Sequence, residues 1–317
     1  MSDAAGRRAT LPLKLALVLA ATLAGLLVAE GLARWIGPEP GYGRLFSLGE
    51  APTRVVDGVT LWSEARPRAG DEDVARAAAG DGVTVLGLGD SIMYGVGLGP
   101  EETYLERARR ALVEGGASIE ILNLAVPGYN TQQEDAVHKE LGDRLRPDVV
   151  LLHYWDDDGR TYRVAGGYVV DIGDMSADGR LVVRALPLPA ALNDFLLVHS
   201  RLYELLTRWA VERDRRAAAS DFGRVAPALA DLNRRVTAAG GKLVVLASPQ
   251  LDGPRPRPSG DLPLLRRLGA AEGFAVVDLS EWLPDVDSAA IRFDHCHFNA
   301  EGHRLLGERL AEYLRSH

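Results

Sequence analysis

Cysteine is almost missing from this chain: Cys296 is the only one in 317 residues. No intrachain disulfide can form, so a disulfide-stapled scaffold is excluded, although an oxidising compartment is not. A thiol nucleophile at Cys296 has far poorer context than a serine nucleophile at Ser91. Excess positive charge is missing too. The net charge is −8, which leaves nucleic-acid binding with little support. No internal repeat or low-complexity tract interrupts the chain. What is present is a globular composition, 47% hydrophobic and 25% charged, enough for a large core in one domain or two small ones.

One long apolar run stands at the N-terminus. Leu11 to Val28 is interrupted only by Lys14, and Arg7 and Arg8 precede it. Basic residues before an apolar stretch keep that end in the cytoplasm. The run sits at the lower edge of the length needed to span a bilayer, and it has no polar face, which argues against a buried core helix. Ala29-Glu30-Gly31 is a poor cleavage site, so an uncleaved anchor is favoured over a signal peptide, with secretion after cleavage as the rival. Arg7-Arg8 fits a twin-arginine export signal badly. Residues 1–36 are therefore read as a basic tail and anchor. Residues 37–82 are read as a linker, with Pro38 and Pro40, and an extension of no assigned role. Everything beyond is expected outside the cytoplasmic membrane, periplasmic or extracellular.

From Val83 strands and helices alternate. Val83–Leu88 is a continuous apolar run, as in a strand buried on both faces. Thr103–Glu114 carries Leu105, Ala108 and Leu112 at helical spacing. Ile119–Leu124 is the next strand. Thr131–Leu145 is a helix capped by Asn130 or Thr131, and Val149–Tyr154 is a third strand. An insertion over residues 159–200 contains a predicted hairpin, Tyr168–Ile172 with Leu181–Arg184 around Asp178-Gly179. Leu196–Trp209 and Phe222–Ala239 read as helices, Lys242–Ala247 as a strand, Leu262–Glu272 as a helix, Phe274–Leu279 as a fifth strand and Ala300–Arg315 as a closing helix. Such alternation predicts a parallel sheet of about five strands covered on both sides, an α/β/α sandwich. Sites in such sheets lie beyond the carboxyl ends of the strands, where Ser91, Gly128 and Asp156 all fall.

Two short motifs carry chemistry. Gly89-Asp90-Ser91 follows the first strand, and Asp294-His295-Cys296-His297 lies near the C-terminus. A serine hydroxyl is a poor nucleophile until a base takes its proton. His297 is the candidate base, and Asp294, three residues earlier, can fix its tautomer and stabilise the imidazolium. Taken singly, Asp294 reads as a helix cap and His297 as a surface loop residue. An α/β-hydrolase elbow is absent, because Met93 stands where Gly-x-Ser-x-Gly needs its second glycine. Asp156-Asp157-Asp158-Gly159 lacks the alternation of a calcium loop. His295-x-His297 with Asp294 has no third histidine nearby, so no metal is assigned.

With these residues in order, the chain from Val83 to its C-terminus resembles the SGNH (GDSL-type) hydrolase family. Gly89-Asp90-Ser91 is similar to its first block. Asn123-Leu-Ala-Val-Pro-Gly128-Tyr-Asn is similar to its second, whose glycine supplies an oxyanion-hole amide. Asp294-x-x-His297 is similar to its fifth, and Phe298-Asn299-Ala300-Glu301-Gly302-His303 to what often follows. The anchor is similar to that of membrane-tethered bacterial members. The resemblance implies a flavodoxin-like three-layer fold, a catalytic domain over residues 83–317, Ser91 as nucleophile, and the Ser91 and Gly128 amides at the oxyanion.

One block departs. Where the family has Gly-x-Asn-Asp, this chain has Tyr154-Trp155-Asp156-Asp157. An ionised Asp156 has no proton to give, and losing one oxyanion donor costs about 3–4 kcal/mol. Three readings stay open: a protonated, donating Asp156; reliance on the Ser91 and Gly128 amides; or a protein that only binds an acylated glycan. Asp156→Asn raises hydrolysis if the site is handicapped by the missing donor. Trp155 reads equally as a wall over the nucleophile or a cap on the sheet. The insertion, with Tyr162, Tyr168 and Phe195, is the expected substrate-selecting element.

The expectation is an extracytoplasmic serine ester hydrolase with no cofactor. Its substrate is a small-molecule, glycan or lipid ester. O-acyl transfer to an envelope polysaccharide is the alternative, differing only in whether water or a sugar hydroxyl resolves the acyl-enzyme.

Overall fold

The computed structural model describes residues 11–36, 53–57, 59–62, 68–156, 158–159, 162–165, 168–171, 186–217 and 222–317. In chain order its elements are α1 (Leu11–Ile36), β1 (Thr53–Val56), β2 (Val59–Trp62), α2 (Asp71–Ala79), β3 (Val83–Leu88), α3 (Ser91–Tyr94), α4 (Tyr104–Glu114), β4 (Ile119–Asn123), α5 (Thr131–Leu145) and β5 (Val149–Tyr154). There follow β6 (Tyr162–Ala165), β7 (Tyr168–Asp171), α6 (Ala190–His199), α7 (Arg201–Ala217), α8 (Phe222–Ala238), β8 (Lys242–Ala247), α9 (Leu262–Glu272), β9 (Ala275–Asp278), α10 (Ser288–Ile291) and α11 (Ala300–Ser316). The chain divides into two compact units, one of residues 1–49 and 183–214, the other of 50–182 and 215–317.

The larger unit is built on a five-stranded sheet in the order β4-β3-β5-β8-β9, with every pairing parallel. Side chains alternate across each strand, so the apolar runs feed two cores. Leu86, Leu88, Val150, Leu152 and Val245 point to one face, against α5, α8 and α9. Val85, Leu151, Val244 and Leu246 point to the other, against α4 and α11. Strands buried on both faces are what a parallel sheet under two helix layers requires. α11 crosses α4 closely because position 307 is glycine: a Cβ there would stand 2.7 Å from the Arg107 Cβ and 3.1 Å from the Tyr104 carbonyl. That crossing fixes the helix that directly follows His297.

The described parts of the segment before Val83 include regular elements. β1 and β2 form an antiparallel hairpin, Leu61 is fully buried in the first core, and α2 buries Val74 and Ala77 there. One prediction beside the insertion changes, and another gains a neighbour. β7 pairs with β6, antiparallel, Tyr162↔Asp171 to Ala165↔Tyr168. Leu181–Arg184, the partner expected for this strand, lies outside the described residues. The expected helix Leu196–Trp209 is two helices. Ser200 is extended (φ −117°, ψ 110°), and its hydroxyl accepts from the Tyr203 amide at 3.1 Å, which starts α7 afresh.

The smaller unit holds α1, α6 and most of α7. Tyr203 Oη donates to Asn193 Oδ1 at 2.7 Å, tying α7 back to α6.

Candidate active site

Ser91 opens α3 at the carboxyl end of β3. Asp90 caps that short helix by accepting from the Ile92 amide at 2.8 Å. Arg68 fastens the turn beyond it. Its guanidinium donates to the carbonyls of Tyr94 (3.1 Å), Gly95 (3.0 Å) and Leu98 (2.8 Å) and lies 4.1 Å over the Tyr94 ring. Asn123, at the end of β4, donates to the Met93 carbonyl at 3.0 Å. The nucleophile turn is thus held by its own neighbour Asp90 and by two groups distant in sequence, Arg68 and Asn123.

His297 and Asp294 arrive on the loop between α10 and α11. His297 Nε2 lies 2.8 Å from Ser91 Oγ, and His297 Nδ1 lies 2.8 Å from Asp294 Oδ2. A carboxylate can only accept, so Nδ1 carries the proton and Nε2 presents its lone pair to the serine hydroxyl. Asp294 Oδ1 also accepts from the amides of His297 (2.8 Å) and Cys296 (2.9 Å). Burial pushes the Asp294 carboxyl up, but these amides and the imidazole outweigh it and hold it well below the usual carboxylate range. The three candidate residues therefore form one continuous hydrogen-bonded line.

Gly128 stands in the neighbouring loop. The chain after β4 stays beside β3, with the Leu124 amide on the Gly87 carbonyl and the Val126 amide on the Gly89 carbonyl, each at 2.9 Å. It then turns through Pro127-Gly128, where Tyr129 N donates to Val126 O at 3.1 Å. Gly128 has φ +80°, the left-handed conformation that the third residue of a type II turn requires and glycine supplies without strain. Asn130 and Gln133 then close a capping box on α5.

Asp156 is bonded to the segment that follows β8. Its carboxylate accepts from Gln250 Nε2, Ser259 Oγ and the Gly260 amide (2.9 Å). Gln250 Nε2 and the Gly260 amide can only donate, so Oδ2 acts as an acceptor, while Oδ1 meets the Ser259 hydroxyl. These contacts tie both carboxyl oxygens of Asp156 to residues of the 248–261 segment. Next to it, Tyr154 Oη donates to buried Asp261 at 2.6 Å. The third block of this chain thus grips the 248–261 segment after β8. Trp155 is buried and meets the His295 ring edge-on at 6.4 Å.

Sequence reasoning missed Arg68, Gln250, Ser259 and the buried groups behind Ser91. Among these, Tyr104 Oη lies 2.9 Å from His153 Nδ1, and the Tyr104 amide donates to His303 Nδ1 at 3.1 Å. Burial pushes both imidazoles down to about 3, helped by their mutual charge at His153 and by Arg107 and Arg68 at His303. Glu134 is also buried, and among the described residues its carboxyl oxygens meet no hydrogen-bond partner. Burial, then the charge of Asp90, raises its pKa well above the ordinary value. Arg68 bonds carbonyls 26 to 30 residues away, so nothing local in the sequence announces its task.

Among the described residues, Asp294, Cys296 and His297 are the group whose donor atoms lie close enough, within 4.8 Å, to hold a metal. Two of those atoms already bond each other, and His295 is not part of the group.

No family model and no curated protein matches the chain. Solved structures do. The structure of TesA is 16% identical, over 74% of this chain and 98% of that one, with a TM-score of 0.46. LAE5, an alpha/beta hydrolase enzyme from the metagenome of Lake Arreo, Spain, is 14% identical over 75% and 97%, with a TM-score of 0.47. Axe2, an acetylxylan esterase from Geobacillus stearothermophilus, is 15% identical over 74% and 94%, with a TM-score of 0.44. The chain is similar to these proteins at low identity, and its resemblance to the SGNH hydrolases is carried by its own motifs and by the joining of Ser91, His297 and Asp294.

Proposed function

We propose that this protein is a serine ester hydrolase that works through an acyl-enzyme, held on the outer side of a membrane by α1. The observation that carries the reading is the unbroken line from Ser91 Oγ through His297 to Asp294. Ser91 attacks the ester carbonyl while His297 Nε2 takes its proton. The Ser91 and Gly128 amides receive the developing oxyanion. His297 then returns the proton to the leaving alcohol, and water repeats the cycle on the acyl-enzyme. Asp294, ionised across the working range, steadies the imidazolium without itself moving a proton. Asp156 takes no part at the oxyanion, so the site runs on two backbone donors. The anchor reading is supported by a 26-residue helix whose apolar window has none of its residues buried, by the basic residues before it and by its length. A substrate in the cell envelope, an acylated glycan or a lipid, suits a domain held there.

The test uses the full chain in detergent, beside Ser91→Ala. A fluorophosphonate should label the parent and not the variant. Turnover of p-nitrophenyl acetate should fall by about 10³-fold or more, as when a triad member is removed. Labelling that survives in Ser91→Ala, or a folded parent that neither labels nor turns over, would sink the hydrolase reading.

A further inference from the structure

The smaller unit carries a second apolar surface that the proposed function does not use. Leu192 and Phe195 on α6 are 45% and 57% exposed, and Leu206 and Trp209 on α7 are 46% and 62% exposed. They fall at i, i+3 spacing on each helix, so each helix shows an apolar stripe. The opposite sides are closed: Asn193 and Leu197 are buried, and buried Arg201 pairs with Glu204. Leu186, ahead of α6, is 50% exposed and continues the apolar surface.

The same unit fixes these helices to one level of α1. Glu30 accepts from Ser200 Oγ (2.9 Å) and from the amides of Arg201 (2.8 Å) and Leu202 (2.9 Å). Its carboxylate thereby satisfies the first, otherwise orphaned amides of α7. Arg34, itself paired with Glu30 at 2.7 Å, donates to the His199 carbonyl at 2.7 Å. The junction of α6 and α7 is therefore bound to the Glu30–Arg34 turn of the anchor.

That turn has a defined depth. From Leu11 to Glu30 the helix rises about 29 Å, at 1.5 Å per residue, against a hydrocarbon thickness of about 30 Å. A carboxylate is costly inside hydrocarbon, so Glu30 marks the outer boundary and exposed Trp35 lies in the interface, where tryptophan is enriched. A helix pair bonded to Glu30 is held at that boundary with Leu192, Phe195 and Leu206 exposed. The geometry points to the bilayer as what covers them: α6 and α7 form a surface-lying helical foot, with Leu192, Phe195, Leu206 and Trp209 set into the headgroup–acyl boundary. This rests on the anchor reading above.

The test places nitroxide spin labels on the full chain in phosphatidylcholine–phosphatidylglycerol vesicles, in a Cys296→Ser background checked for native circular dichroism. Labels go at Phe195→Cys and Leu206→Cys, with Leu23→Cys as the anchor reference and Glu272→Cys as the aqueous one. Relaxation by oxygen and by a water-soluble nickel chelate reports depth. The foot requires Phe195 and Leu206 labels that favour oxygen over nickel, less strongly than Leu23 but well above Glu272. If Leu23 is oxygen-exposed while the other two behave like Glu272, the foot is wrong and the anchor stands. If Leu23 itself behaves like Glu272, the anchor reading fails and takes the foot with it. Labels at 195 and 206 that are immobile and shielded from both reagents overturn the proposal in favour of protein packing, with another segment or a second copy covering the stripes.

Discussion

Asp156 shows how one side chain can change meaning once its partners are known. Read as the replacement for an asparagine donor, it predicts that Asp156→Asn raises hydrolysis. Its contacts predict the reverse. The carboxylate accepts from Gln250, Ser259 and the Gly260 amide, and an asparagine offers one oxygen and turns an NH₂ toward a donor. A buried donor left without its acceptor costs about 1–3 kcal/mol. Asp156→Asn should therefore loosen the 248–261 segment, lower the unfolding midpoint and leave kcat unimproved. A tenfold gain in kcat would show that the amide reaches the oxyanion after all. Glu134 supplies a second prediction at this scale. Burial, then the charge of Asp90, raises its pKa well above the ordinary value of 4.5. An acid whose folded pKa is raised gives its full stability below the unfolded pKa and loses it as pH rises toward the folded one, by about 1.4 kcal/mol per unit. Glu134→Gln removes that loss. The variant should gain on the parent between pH 5 and pH 8 in urea unfolding, and a constant difference across that range would mean Glu134 is not held neutral.

At the scale of elements, the site depends on how separate segments brace α3. Arg68 donates to three carbonyls just beyond it. Arg68→Met keeps the apolar stem and removes all three bonds, so the turn carrying Ser91 should lose positional order. The expected result is a drop in kcat of about tenfold with KM little changed, partly restored by Arg68→Lys. Intact kcat in Arg68→Met would confine Arg68 to a structural part. The same scale explains what was legible from sequence. β3, β4, β5 and β8 announced themselves because double burial forces continuous apolar runs, and Asp294-x-x-His297 announced itself because three residues suffice to close its hydrogen bonds. β1 and β2 are four residues each and carry no period long enough to read. The break at Ser200 was hidden because serine inside an apolar stretch looks helical until its cap and Glu30 are seen. Arg68, His153 and His303 act through contacts with residues far away in the chain, and no local pattern encodes such a contact.

For the molecule as a whole, the region behind the nucleophile is a store of groups that must stay uncharged. His153 and His303 both touch Tyr104, one through its hydroxyl and one through its amide, and both are pushed down from 6.5 to about 3, mainly by burial. For such a base the unfolded chain binds the proton that the folded one refuses. Stability is therefore full above pH 6.5 and falls as pH drops toward 3, by about 1.4 kcal/mol per unit for each histidine. Glu134 works in the opposite sense, since its folded form holds a proton the unfolded form has released above pH 4.5. One histidine is thus offset and the other is not. Against a total of about 5–15 kcal/mol for a domain, two pH units of that remainder is a sizeable share. The larger unit should weaken between pH 6.5 and pH 4.5, read from amide exchange in β5, where only opening of the whole sheet frees the amides. His303→Asn keeps an acceptor for the Tyr104 amide and does not titrate. It should flatten the acid slope by about 1.4 kcal/mol per pH unit while leaving exchange at pH 7.5 less altered. An unchanged slope in that variant would place the acid sensitivity elsewhere than in the core behind Ser91.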